Sequence, residues 1–221
     1  SIGREGLWLK IALAPLNTGR LALPAICAGV AKWATKVARE FASERVQWGK
    51  PIGEHDEVAQ RIAFIAATAF GLEAMLDVAS RLADEKRNDV RIEAALAKLY
   101  GSEMGWRVID ELMQVCGGRG YETAASLQAR GLRGVPVEQV MRDMRVNRIF
   151  EGSTEIMHLI IAREAMDQHL HVAGDLLESD LSLEQKAKAL GKAGAFYATW
   201  YPRLAVGRGQ APQSYGDFGE L

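Results

Sequence analysis

One carboxylate has neighbours suited to acid–base chemistry: Glu151, in Ile149-Phe150-Glu151-Gly152-Ser153-Thr154. Apolar neighbours strip water from a carboxylate and make it a better proton acceptor. The Gly-Ser-Thr run after it opens a helix, whose free N–H groups can hold a phosphate or another anion. The same arrangement also suits a purely structural role, an acidic side chain at the positive end of a capped helix. Residue types alone leave both readings open.

Other clusters carry weaker signals. Arg45-Val46-Gln47-Trp48-Gly49 sets a guanidinium and an amide beside a large aromatic. That combination can clamp a diphosphate and cover a ring system, or merely close a helix with a packed Trp. Gln114-Val115-Cys116-Gly117-Gly118-Arg119-Gly120 ends a helix in close-set glycines, which admit a ligand to the backbone or act as caps. With no strand before it and no helix after it, this is not a dinucleotide fingerprint. Glu155-Ile156-Met157-His158 is half of a di-iron motif with no second copy, so no metal centre is expected. His169 and His171 read as exposed residues at a helix end, and Arg142, Arg145 and Arg148 as a solvated or salt-bridged face.

Helices must position these groups. The 221 residues are 48% hydrophobic and only 7% aromatic, a balance that favours packed helices over sheets. Residues 1–16 read as an entering loop, with Asn17-Thr18 as the helix cap. Leu23, Ile26, Val30, Trp33, Val37 and Phe41 then mark one face of a long helix that ends at the turn residues 48–53. A second helix follows Val58, Ile62, Ile65, Ala69, Leu72, Leu76 and Ala79 and leaves at the polar run 84–89. The third carries Ile92, Leu96, Leu99, Trp106, Ile109, Met113 and Cys116 on one side and stops at Gly117-Gly118. Residues 119–135 read as a loop, with helices expected over about 137–147, 154–169 and around Leu183 to Tyr197, and a flexible tail from Gly207. The expected fold is all-α, an antiparallel up-and-down bundle with an extra C-terminal helical segment.

A net charge of -1 offers no field for nucleic acid. Cys27 and Cys116 lie within apolar pattern and read as buried thiols. No apolar run as long as a membrane span and no secretory pattern is seen, so the protein is not expected to be secreted.

Taken together the motifs resemble the acyl-CoA dehydrogenase family over residues 5–168. Five stretches carry the likeness, in order. They are Leu16-Asn17-Thr18-Gly19-Arg20, then Arg45 to Ile52, then Ala95-Leu96-Ala97-Lys98 with Ser102-Glu103, then Gln114 to Tyr121, and Arg142-Asp143 through Glu151 to Ala162-Arg163. Asn17, Ile92-Glu93-Ala94-Ala95 and Gly101-Ser102-Glu103 with Trp106 are similar to the very-long-chain branch, and a bacterial fatty-acid oxidation homologue fits equally. The resemblance implies a linker over 1–16, the family's C-terminal bundle over 17–169 and a partial helical extension over 170–221. It implies FAD as cofactor, an acyl-CoA substrate, self-association to a dimer or tetramer, and an electron-transfer flavoprotein as acceptor, in a bacterial cytoplasm or a mitochondrial matrix.

By position, Glu151 matches the family's base, and its rival position on the first long helix is Gly19. Asn17 and Arg20 match residues at the substrate and catalytic region. Arg45, Gln47 and Trp48, with Gln114, Gly117 and Gly118, match contacts to the FAD of a neighbouring subunit. Gly152, Ser153, Thr154 and Glu155 match the turn at the flavin nucleotide of their own subunit. His55-Asp56 departs from the family's usual pair, and Glu122 to Gly134 is longer than its usual connection. The family's N-terminal helical and β-domains lie outside these residues, so the chain alone is expected to be inactive. The same fold also serves acyl-CoA oxidases, and a non-catalytic assembly module is the third reading.

Overall fold

A computed structural model describes residues 8–85, 90–177 and 181–206, with side chains from Gly19 onward. Its helices are α1 (Trp8–Glu44), α2 (Asp56–Asp84), α3 (Arg91–Cys116), α4 (Gly118–Tyr121), α5 (Ala124–Ala129), α6 (Val137–Val146), α7 (Thr154–Ala173) and α8 (Leu183–Ala205). The architecture is all-α, and β1 (Val46–Gln47) with β2 (Lys50–Pro51) form only a two-residue antiparallel hairpin between α1 and α2. The chain divides into two units, residues 1–162 and 163–221.

In the first unit α1, α2 and α3 each pack on the other two, and α6 packs on α3. Small residues decide how close they come. Cys27, Ala31, Ala34 and Ala38 of α1 are fully buried against Val108, Ile109 and Leu112 of α3, with Ile65 and Leu72 of α2 closing the core. A Cβ added at Gly101 would lie 3.1 Å from the Cα of Pro24, and one at Gly105 would lie 3.2 Å from the Cys27 sulfur. Pro24, which lacks the N–H of a helix interior, is thus buried where α3 presents no side chain. Across the bundle, Arg61 of α2 bonds Glu111 of α3, and Lys32 of α1 meets Glu73 of α2 at 2.5 Å.

Several expectations change. The first helix begins at Trp8, so Asn17-Thr18 lies inside it and does not cap it. The region 119–135 contains α4 and α5, the latter capped by the Thr123 side chain, which accepts from the Ser126 N–H at 3.2 Å. On α3 the buried stripe is Ala94, Ala97, Lys98, Gly101, Ser102 and Gly105, while Leu96 is 47% exposed. Close packing selected small residues in the first half of α3, where Leu96 projects outward, while Val108, Ile109 and Leu112 further along fill the core. By length and composition α1 and α2 could cross a bilayer, contrary to the sequence expectation; α1 instead supplies much of the core. Both cysteines are free and buried, and burial pushes the Cys27 thiol up to about 12 and that of Cys116 up to about 11.

The second unit joins the end of α7 to α8. His169 is not an exposed end residue. Its ring stacks on Tyr197, meets Trp200 edge-on at 4.8 Å, and its Nδ1 lies 3.0 Å from the Tyr197 hydroxyl. Ser182 and Gln185 form a reciprocal capping box at the start of α8. The tail expected from Gly207 lies outside the described residues.

Candidate active site

The segment between α6 and α7 is built to hold one side chain at a set angle. The Ile149 and Phe150 N–H groups both donate to the Val146 carbonyl, and Thr154 N–H returns to the Arg148 carbonyl at 3.2 Å. Within this closed turn Glu151 takes φ 57 and Gly152 φ 98. Positive φ at a residue other than glycine costs about 1–3 kcal/mol and persists where the surroundings enforce it. Glycine suits Gly152 on two counts: its φ is disfavoured for residues with a side chain, and a Cβ there would press on the methyl of the buried Met157.

The Glu151 carboxylate points at α1. A Cβ added at Gly19 would sit 3.3 Å from its Oε2, so only glycine leaves this contact clear. Oε2 is buried and has no hydrogen-bond partner among the described residues. Ile149 and Phe150, expected to flank and dry the carboxylate, are 57% and 43% exposed. The buried oxygen lies against α1 at Gly19, while these two sequence neighbours stay largely open to solvent.

Two residues of α3, neither assigned a role from sequence, reach this turn. Lys98 is completely buried, and its ammonium donates to the Gly152 carbonyl. Burial, and then the nearby Arg20 charge, lower the Lys98 pKa, with Glu103 and Glu151 acting in the opposite direction. Arg20 itself is only 8% exposed. Glu103 Oε1 accepts from Arg148 Nε at 2.7 Å and from the Thr154 hydroxyl at 2.5 Å. Arg148 is thus salt-bridged, one of the two alternatives read from its spacing. The signal available in sequence was a lysine in a stripe of small residues, four positions before Ser102-Glu103. At the start of α7 the Glu155 carboxyl is held below the usual carboxylate range by its own backbone N–H and by the Ser153 hydroxyl.

A second group forms elsewhere on the same unit. Arg45, Gln47, Gly117 and Gly118 line one groove of about 400 Å³, with Phe41 and Arg119. A Cβ at either glycine would meet nothing within 4 Å, so the backbone there is bare. Gln114 is exposed at the end of α3, and its carbonyl accepts from Gly117 N–H at 3.2 Å. Trp48 stands 89% exposed at the hairpin tip, edge-on to His55 at 5.5 Å. Trp48 and Gly49 both have positive φ, the twist that a two-residue hairpin loop requires. The side chain of Asn17 lies outside the described residues.

Residues 9–166 match the family described as acyl-CoA dehydrogenase, C-terminal domain. The chain belongs to the acyl-CoA dehydrogenase family. Over its whole length it is 62% identical to the probable acyl-CoA dehydrogenase FadE10 of Mycobacterium tuberculosis, of which it covers 34%. It is 32% identical, over 78% of its length, to the human very long-chain specific acyl-CoA dehydrogenase, covering 25% of that protein. Both branches anticipated from sequence are thus among its relatives. Its fold is similar to that of butyryl-CoA dehydrogenase from Megasphaera elsdenii, with a TM-score of 0.66, 28% identity, and coverage of 74% of this chain and 40% of that one. The chain spans about a third of the length of its mycobacterial relatives. In this acyl-CoA dehydrogenase domain the Glu151 turn and the Arg45 groove are the two places where the anticipated site residues gather.

Proposed function

We propose that the protein carrying this chain is an FAD-dependent acyl-CoA dehydrogenase, with Glu151 taking the α-proton of a fatty acyl-CoA thioester to give the trans-2-enoyl-CoA. The observation that carries this reading is the Glu151 carboxylate itself, with one buried oxygen that has no partner among the described residues and a glycine facing it. A carboxylate oxygen that is shielded from water and not committed to a hydrogen bond is free to accept a proton. The backbone N–H of Glu151, in its positive-φ turn, supplies a donor that can polarise the thioester carbonyl and acidify the α-carbon.

The residues present fit the cofactor. Arg45 with Arg119, and the bare backbone of Gly117 and Gly118, suit a diphosphate, and Gln47 adds an amide. Trp48, free at the hairpin tip, and Gln114 would complete that contact from a sister subunit. Gly152, Ser153, Thr154 and Glu155 would meet the nucleotide at the start of α7, where helix N–H groups favour anions. FAD would supply the acceptor for the β-hydrogen, which leaves as hydride. Arg20 and Asn17 would support the substrate end. An electron-transfer flavoprotein would take the electrons onward, in a bacterial cytoplasm or a mitochondrial matrix.

The test is the absorption spectrum of the full-length protein, purified without added cofactor, before and after anaerobic addition of a long-chain acyl-CoA. Flavin bands should bleach in the wild type and persist in Glu151→Gln. A colourless protein that takes up no FAD, or equal bleaching in the variant, would overturn the reading.

A further inference from the structure

A fully buried lysine on a helix face otherwise made of Ala, Gly and Ser needs a reason. Lys98 has no exposure at all, and Ala94, Ala97 and Gly101 around it serve close packing against α1 and α2. An apolar side chain would fill that volume without the cost of dehydrating an ammonium. The lysine instead spends its charge on one bond, to the carbonyl of Gly152, the residue directly after Glu151. Five positions along α3, Glu103 grips the residues on both sides of the same turn, Arg148 before it and Thr154 after it. Between these grips lie two successive positive-φ residues, Glu151 and Gly152. Left to itself such a segment relaxes toward ordinary backbone angles, and it holds its shape only where the surroundings over-determine it.

We propose that Lys98 and Glu103 are positioning residues that bracket the 148–154 turn from α3 and so aim the Glu151 carboxylate at the substrate. Neither touches the reacting atoms; both act through Glu151, so the proposal rests on Glu151 being the base. Lys98 fixes the peptide plane that follows the base. Glu103 fixes the two ends of the turn. Arg20 and Cys27 of α1 also lie near the Lys98 ammonium, whose pKa is lowered by burial and by the Arg20 charge against the opposing pull of Cys27, Glu103 and Glu151.

The experiment uses the full-length flavoprotein with a long-chain acyl-CoA and its α-dideuterated form. Four variants are compared with the wild type: Glu151→Gln, Lys98→Met, Glu103→Ala and Glu103→Gln. Displacing a reacting group by about 1 Å costs on the order of 100-fold in rate. Lys98→Met should therefore keep its FAD content and KM, lose kcat on that scale, and show a larger α-deuterium isotope effect as proton abstraction becomes limiting. Glu103→Ala should behave likewise, while Glu103→Gln, which still accepts from Thr154, should recover most of the rate. A Lys98→Met enzyme with wild-type kcat and isotope effect, or one whose kcat falls only with its FAD content, overturns the proposal. Should Lys98→Met fail to fold, the Glu103 pair decides: equal rates in Glu103→Ala and wild type overturn it. Bleaching in Glu151→Gln at the wild-type rate is the separate sign that the base is misassigned, and it removes this proposal as well.

Discussion

Backbone angle matters as much as side-chain type at the candidate base. Gly152 sits at φ 98 with the Met157 methyl where a Cβ would go, so Gly152→Ala combines a disfavoured angle with a clash. The expected loss is about 1–3 kcal/mol of stability, read as a lower Tm in thermal denaturation. Glu155 gives a pH-dependent counterpart. Its carboxyl is depressed by its own backbone N–H and by Ser153, so its ionised form is favoured by folding. That contribution is present above the usual carboxylate pKa and is lost as pH falls through the depressed one. The Tm advantage of wild type over Glu155→Gln should therefore be greatest near neutrality and shrink toward zero in acid. A gap that stays constant with pH would contradict this account.

Helix pairing depends on contacts that hydrophobic periodicity does not reveal. The expected apolar face of α3 holds at Ile109 and Cys116, with Met113 packed against the core, but Leu96 faces outward, and toward the helix start the buried face is the stripe of small residues that meets Pro24 and Cys27. Gly101 is where this matters most, since the neighbour at 3.1 Å is helix backbone and cannot swing aside. Gly101→Val should cost about 1–3 kcal/mol through overpacking, measured by chemical denaturation. Because Lys98 lies one turn earlier on the same helix, the same substitution should also displace its bond to the Gly152 carbonyl. An unchanged midpoint would mean that α1 and α3 can separate there without loss.

Between molecules, the outward large residues acquire a use. Val78 and Leu96 line an apolar groove between α2 and α3 with Met75 and Leu82, and Phe70 of α2 is 68% exposed. The self-association that the resemblance implies is proposed to use this groove. Val78→Asp combined with Leu96→Asp should lower the oligomer mass in sedimentation velocity and reduce retained FAD. A variant of unchanged mass would place the subunit contact elsewhere.

Sequence by itself determined the helical class and the order of the long helices, and it singled out Glu151 as the candidate base, because periodicity and ordered motifs are local properties of the chain. It also marked the stretch from Lys98 to Glu103, without giving either residue a role. It placed the first helix start too late, since the Asn17-Thr18 cap signal does not reveal that the preceding turns are also helical. It missed α4 and α5, whose few residues leave too little periodicity to read. Only the tertiary structure decided what surrounds the base. Ile149 and Phe150 were expected to dry the carboxylate, but both are largely exposed, and the carboxylate instead lies against α1 at Gly19, more than a hundred residues away in the chain. The grip of Lys98 and Glu103 on the turn likewise spans 54 and 51 residues. Contacts so distant along the chain exist only once the helices have packed, and no spacing within a single helix encodes them.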